Sequence, residues 1–208
     1  MKNSENTKTK QDFFEKRQIN PSAFVNPVPL VMVSCGTMDS SDIITIAWCG
    51  TVNSDPPMAS VSIRKSRFSH GLISASGKAV INLVSSGLAG AADLCGVRSG
   101  ADTDKFKIAG LKKVPSPIYG IPMIGDSPVN IECSVDRVIE LGSHDLFLLN
   151  IEGVYVADKL FDENGKIDLR KADLVSYSHG EYYSLGKILG FYGYSVAGGE
   201  ALSRRLRS

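Results

Sequence analysis

The chain has 208 residues, 43% of them hydrophobic, and a formal net charge of +1 at pH 7. That is enough for one domain with a sizeable core, and the near-neutral balance gives no electrostatic reason to expect nucleic acid or a membrane as partner. No apolar run approaches the roughly 20 residues that span a bilayer, and MKNSENTKTKQDFF lacks the apolar centre of a secretory signal, so a cytoplasmic protein is expected.

Residues 1–20 are polar and charged and are expected to form a flexible tail, followed by one domain over 21–197 and a basic tail over 198–208. Three prolines interrupt Asn20 to Pro29. Leu30 to Ser34 reads as the first strand, and Gly36 to Asp42 as a polar hairpin loop. In the next stretch Ile43, Ile44, Ile46, Ala47 and Trp48 are β-branched, small or aromatic, which suits a strand buried on both faces. Asn53-Ser54-Asp55-Pro56-Pro57 stops it, because proline fixes its own φ and restricts the residue before it. Ala59 to Arg64 then alternates. Ala59, Val61 and Ile63 face one way; Ser60, Ser62 and Arg64 face the other. Ile43 to Arg64 is therefore expected to be two strands joined by a turn.

Arg64, Lys65, Ser66, Arg67 and Ser69 crowd two arginines, one lysine and two serines into six residues. Two readings fit. Such a run is often a solvated basic turn. It also suits a phosphate monoester, since guanidinium forks match phosphate oxygens and hydroxyls supply further donors. A helix opening near Ser69 would add its free N–H groups.

His70 to Ser76 reads as a short helix ended by Gly77, and Ala79 to Val84 as a strand. Within that strand Asn82 is either an internally satisfied polar group or a ligand contact. Ser85 to Gly96 is helix-permissive, with Leu88, Ala92 and Cys95 at helical spacing. A glycine-containing loop follows, and Asp104 opens a helix through Ala109. Lys105 is either an ordinary exposed lysine or, beside Ser99, a further cation for the phosphate. Leu111 to Asp126 holds three prolines and reads as irregular. Val129 to Leu141 and Asp145 to Val156 form a hairpin around the GSHD turn. His144, in that turn, either bonds its neighbours or projects into a cleft, where it would titrate near neutral pH. His70 and His179 read as structural or exposed. Cys35, Cys49, Cys95 and Cys133 form no CxxC pair, so reduced thiols and no metal site are expected. Six or seven strands joined by short turns favour antiparallel pairing, and closing them into a barrel removes exposed edges.

The ordered strings NPVPLVMVSCG, DIITIAWCGTVNSDPPM, SIRKSRFSH, VINLV, LCGVRSGADTDKF, PVNIEC, ELGSHDLFLLNIEGVYV and YSHGEYYSLGKILGFYG resemble the flavin reductase-like, FMN-binding split-barrel family, and within it the flavoredoxin branch. The resemblance runs from about Asn26 to Tyr194. It implies a mainly β, antiparallel Greek-key split β-barrel with short peripheral helices. It implies FMN as cofactor, with NADH or NADPH as electron donor and free flavin, a metal ion or a redox protein as acceptor. A non-enzymatic electron carrier of the flavoredoxin type is the alternative. By the same resemblance Thr45, Ala47, Trp48, Cys49 and Gly50 line the flavin ring, mostly through backbone. Arg64, Ser66 and Ser69, with Arg67 and Lys105, hold the phosphate. Asn82, Cys95 and Ser99 are placed on the cofactor as well, and His144 in the catalytic role. A homodimer with the site at its interface is implied too.

Overall fold

The computed structural model describes residues 14–199. The remaining parts of the two expected tails, residues 1–13 and 200–208, lie outside the described residues. In chain order the strands begin with β1 (Val28–Pro29), β2 (Val31–Gly36), β3 (Ser41–Ile46), β4 (Cys49–Ser54) and β5 (Pro57–Arg64). Helix α1 (Phe68–Ser76), β6 (Lys78–Leu83), α2 (Ala89–Val97) and α3 (Lys105–Ile108) follow. Then come β7 (Lys113–Pro115), β8 (Pro122–Ile124), β9 (Val129–Glu140), β10 (His144–Val156), β11 (Val175–Ser178) and β12 (Glu181–Ser184). No described helix is long and apolar enough to cross a membrane.

Seven strands form one sheet in the order β3-β2-β6-β9-β10-β5-β4, and every pairing in it is antiparallel. The order leaves the sequence order at β2–β6, β6–β9 and β10–β5, so the connections are of Greek-key type. The two edge strands, β3 and β4, are consecutive in the chain and joined only by Ala47 and Trp48. The sheet therefore curls round on itself, and its edges meet at that corner without a shared ladder: a barrel with a seam.

Alternation of side chains across the pleat fills the interior. Val31, Val33 and Cys35 of β2, Ile44 and Ile46 of β3, Val61 and Ile63 of β5, Ile81 of β6, Cys133 of β9, and Phe147 and Leu149 of β10 form one buried cluster. Ile73 of α1 closes one end of it. The opposite pleat positions of β2 and β3, Met32 and Ile43, enter a second cluster outside the barrel, with Ala92 and Cys95 of α2, Phe106 of α3 and Val175 of β11. Helix α1 ends as expected, on Gly77 in the left-handed region (φ 65°), whose N–H bonds Ile73 O.

Two expectations need correcting. The stretch from Ile43 to Arg64 makes three strands rather than two, because the chain bends at Ala47-Trp48 and continues as β4. Trp48 is 46% exposed instead of buried in a strand. Its carbonyl accepts from Ser62 N at 3.0 Å, which ties the corner to β5. Leu111 to Asp126 is not wholly irregular, since β7 and β8 pair within it.

That excursion is pinned to the barrel by a buried carboxylate. Glu132, 0% exposed, accepts from Ser116 Oγ, from Tyr119 N at 2.7 Å, from Ile118 N at 3.2 Å and from Tyr155 Oη at 2.8 Å. Burial alone would raise this carboxyl, but the hydrogen bonds outweigh it and hold it below the usual range. A depressed carboxylate contributes stability above its unfolded value of 4.5, and that contribution is lost as pH falls through the lower folded value. Between about pH 7 and about pH 3 the wild type should therefore lose more stability than Glu132→Gln, read by urea denaturation. Parallel losses in the two proteins would remove Glu132 as the acid-sensitive group.

Candidate functional site

At the seam two clefts open side by side. The larger, about 620 Å³, is lined by Ile44, Thr45, Ile46, Ala47 and Trp48 from the corner, and by Ser62, Arg64, Arg67 and His144. Its far wall comes from Ala23 to Leu30, from Asp93, Gly96 and Val97 of α2, and from Tyr177 to Tyr182 of the β11–β12 hairpin. The smaller, about 290 Å³, is lined by Arg64, Ser66, Arg67, Phe68, Ser69, Arg98, Ser99, Gly100 and Lys105, with Asp42 and Ile44 at its base. Ile44, Arg64 and Arg67 belong to both, so the clefts form one two-chambered site.

Local structure fixes the small chamber. Arg67 N bonds Arg64 O at 3.0 Å, turning the chain between β5 and α1. Lys65 ties this turn to the β9–β10 end through Glu140 at 2.6 Å and the buried Asp145 at 3.5 Å. His70 Nε2, one turn into α1, lies 2.8 Å from Asp145 Oδ2. The turn is thereby held from both sides, and the first turn of a nine-residue helix borders the chamber. Arg64, Arg67 and Arg98 make no ion pair or side-chain hydrogen bond with any described residue. Three unpartnered guanidinium groups around one chamber are arranged for an anion.

The floor of that chamber is a buried network. Lys105 is 3% exposed, and its Nζ lies 3.0 Å from Asp42 Oδ1 and donates to Ile43 O at 2.6 Å. Ser69 Oγ donates to Asp42 Oδ2. Lys105 is therefore not the ordinary exposed lysine of one reading, and Ser69, its proton committed to Asp42, is an anchor rather than a free donor. Gly100 packs on the same carboxylate, with a Cβ built there falling 2.1 Å from Asp42 Oδ1.

In the large chamber the indole of Trp48 and the imidazole of His144 lie 4.6 Å apart between ring centroids, tilted by 53°. His144 pairs across the sheet with Arg64, and its Nδ1 shares a 2.9 Å hydrogen bond with Ser143 Oγ. Burial, and then the Arg64 charge, lower its pKa from 6.5, so the ring is neutral at neutral pH. Thr45 Oγ1 donates to Ala92 O and holds α2 against β3. Tyr182 Oη donates to Asp93 Oδ1 at 2.8 Å, tying the β11–β12 hairpin to α2 across the cleft.

Thr45, Ala47, Trp48, Arg64, Ser66, Arg67, Ser69, Ser99, Lys105 and His144 are thus brought together at one site. Four residues expected there are not among its lining. Cys49 and Gly50 leave with β4 after the corner, and Cys49 packs on the barrel core, where burial pushes its thiol up to about 11. Cys95 is buried in the outer cluster, its thiol also raised by burial to about 11. Asn82 is 0% exposed and spent internally. It donates to Met32 O, Ser34 Oγ and Val80 O and accepts from Ile124 N and Asn130 Nδ2.

Asp42, Arg98, Asp93, Tyr177 and Tyr182 were not foreseen. Arg98 stands beside Ser99 in a string already singled out, so its neighbour was a usable signal. Asp42 looked like the end of a polar loop, and the tyrosines are distant in sequence. His179, read as structural or exposed, lines the large chamber and sets its ring edge-on to Phe24 at 5.5 Å.

The chain matches the family described as flavin reductase like domain over residues 23–186. It is similar to flavoredoxin of Desulfovibrio vulgaris (Miyazaki F), with 30% identity and a TM-score of 0.81 over 88% of this chain and 100% of that one. It is similar to flavoredoxin from Methanosarcina acetivorans at 26% identity and a TM-score of 0.79, again over 88% and 100% of the two chains. An uncharacterized protein of Archaeoglobus fulgidus is 26% identical over 166 residues, 80% of this chain and 92% of that one.

Proposed function

The chain belongs to the flavin reductase like domain family, and from that premise we propose that it binds FMN across the two chambers and works as an oxidoreductase. Electrons would come from NADH or NADPH and leave to free flavin, a metal ion or a partner redox protein. One observation carries this reading. A large aromatic-edged chamber opens into a small cationic one, and Arg64 and Arg67 belong to both. A ligand with a flat ring at one end and a phosphate at the other matches that division, and the likeness to two flavoredoxins supports a flavin in particular.

Arg64, Arg67 and Arg98 would hold the phosphate, with Ser66 and Ser99 as hydroxyl donors. Trp48 and His144 would border the ring, and the corner Thr45 to Trp48 would bring backbone to it. The far wall from Ala23 to Leu30 and the β11–β12 hairpin exclude water from one side. A bound flavin supplies one- and two-electron exchange, while the protein binds, orients and tunes it. His144 is neutral at working pH, so it adds no second positive charge beside Arg64.

The test is uptake. Purified protein mixed with FMN and passed through a desalting column should stay yellow and bleach when NADH or NADPH is added without oxygen. A protein that remains colourless after FMN removes the reading. His144→Ala should slow that bleaching roughly 10- to 100-fold, by loosening the ring's surroundings, with a smaller change in FMN affinity. Unaltered reduction kinetics would leave His144 as the first residue of β10, bonded to Ser143 and without a part in the reaction. The likeness to flavoredoxins favours one second reading, an electron carrier reduced by another protein. Bleaching by nicotinamide much slower than by a protein donor would select it.

A further inference from the structure

At the base of the small chamber sits an ion pair to which phosphate binding by arginines gives no task. A carboxylate at the floor of an anion site opposes the anion, and a buried ammonium beside it favours the anion. Both are taken out of water, Asp42 at 1% exposure and Lys105 at 3%, at a cost that only a partner offsets. They stand 3.0 Å apart, so at the distance of a bound ligand their fields largely cancel.

We infer that Asp42 and Lys105 act as a charge-balanced pair that sets how strongly the small chamber discriminates for the phosphate. Four cations and one carboxylate line the chamber, a formal net of +3, carried by Arg64, Arg67 and Arg98. Asp42 also accepts the hydrogen bond of the Ser69 hydroxyl, which removes one further donor from the phosphate. The pair is held in register by neighbours from three segments: Ile43 O on Lys105, Ser69 Oγ on Asp42, and Gly100 against the carboxylate. Asp42 thus restrains phosphate affinity, and Lys105 offsets Asp42 without being a net contributor.

The inference rests on FMN occupying the site as proposed above, and phosphate-free riboflavin separates the two. Dissociation constants for FMN and riboflavin are measured by fluorescence titration on the full chain. Wild type binding neither flavin defeats the proposed function itself. With wild type preferring FMN, Asp42→Asn should raise the FMN-over-riboflavin preference roughly tenfold or more, the scale of one unit charge removed a few ångströms away. Lys105→Gln should lower that preference by a similar factor, and the double variant should return to within about threefold of wild type. Riboflavin affinity stays level throughout and reports that the fold is intact. An Asp42→Asn preference that is unchanged or reduced overturns the inference and leaves Asp42 a structural residue. Should one single variant fail to fold with its partner left unpaired, the other single variant decides. A preference moved in its stated direction supports the balanced pair, and an unmoved one overturns it.

Discussion

Arg64→Ala should cost roughly 1.5–3 kcal/mol of FMN affinity, about ten- to 150-fold, and leave riboflavin affinity almost unmoved. Arg64 ends β5, pairs across the sheet with His144, and lines both chambers. Its guanidinium has no acidic partner among the described residues, so nothing competes with an incoming phosphate for it. The side chain is exposed, so water shares its charge and the lower half of the range is the better guide. A lysine there would keep the charge but lose the planar fork, and should recover only part of the affinity. The measurement is a fluorescence titration with both flavins. Unchanged FMN affinity would take Arg64 out of the site, and an equal loss for riboflavin would show a distorted fold instead of a lost phosphate contact.

The largest expected loss of stability belongs to Phe147→Ala, at about 3–5 kcal/mol. Phe147 is 0% exposed at the middle of the barrel interior, and β10 places it opposite Val61 of β5 and Val138 of β9. His70 of α1 meets its ring edge-on at 5.2 Å. Truncation leaves a void walled by several strands, which cannot all move inward, so cavity and transfer terms add. The same strand begins at His144 and carries Asp145, which anchors the Arg64–Arg67 turn through Lys65 and His70. The variant should therefore bind FMN more weakly at temperatures where it is still folded. Urea denaturation gives the number, and a loss under about 1 kcal/mol would mean that the barrel repacks around the gap.

What the sequence disclosed was mostly local. β5 was legible because alternation is a short-range pattern, and its polar face ran straight into the Arg64–Ser69 turn. α1 was legible because Gly77 closes it in a conformation that suits glycine. The β9–β10 hairpin was legible because two long apolar stretches flank one tight turn. The corner at Ala47-Trp48 was hidden. Neither residue is a glycine or proline, and both suit a buried strand, so composition gave continuity where the closing barrel requires a bend. The far wall of the large chamber was hidden for a different reason. Ala23 to Leu30 and Tyr177 to Tyr182 meet only because β1 pairs with β11, and nothing within either segment announces the other. Asn82 shows the limit of pattern reading for polar residues in strands. An amide in an apolar run marks either a ligand or a buried hydrogen-bond network, and only the positions of Ser34, Ile124 and Asn130 decide between them. The pairing of Asp42 with Lys105 was beyond reach, since the two carry ordinary surroundings in sequence.

A position with no side chain holds a close steric constraint at the small chamber. At Gly100 even a methyl group would land on the Asp42 carboxylate, so an alanine there forces something to move. Either the carboxylate swings off Lys105 or the loop backs away, and Arg98 and Ser99 go with it. The least chemically equipped residue of the loop therefore acts as a gauge block, setting the gap between its neighbours and the barrel.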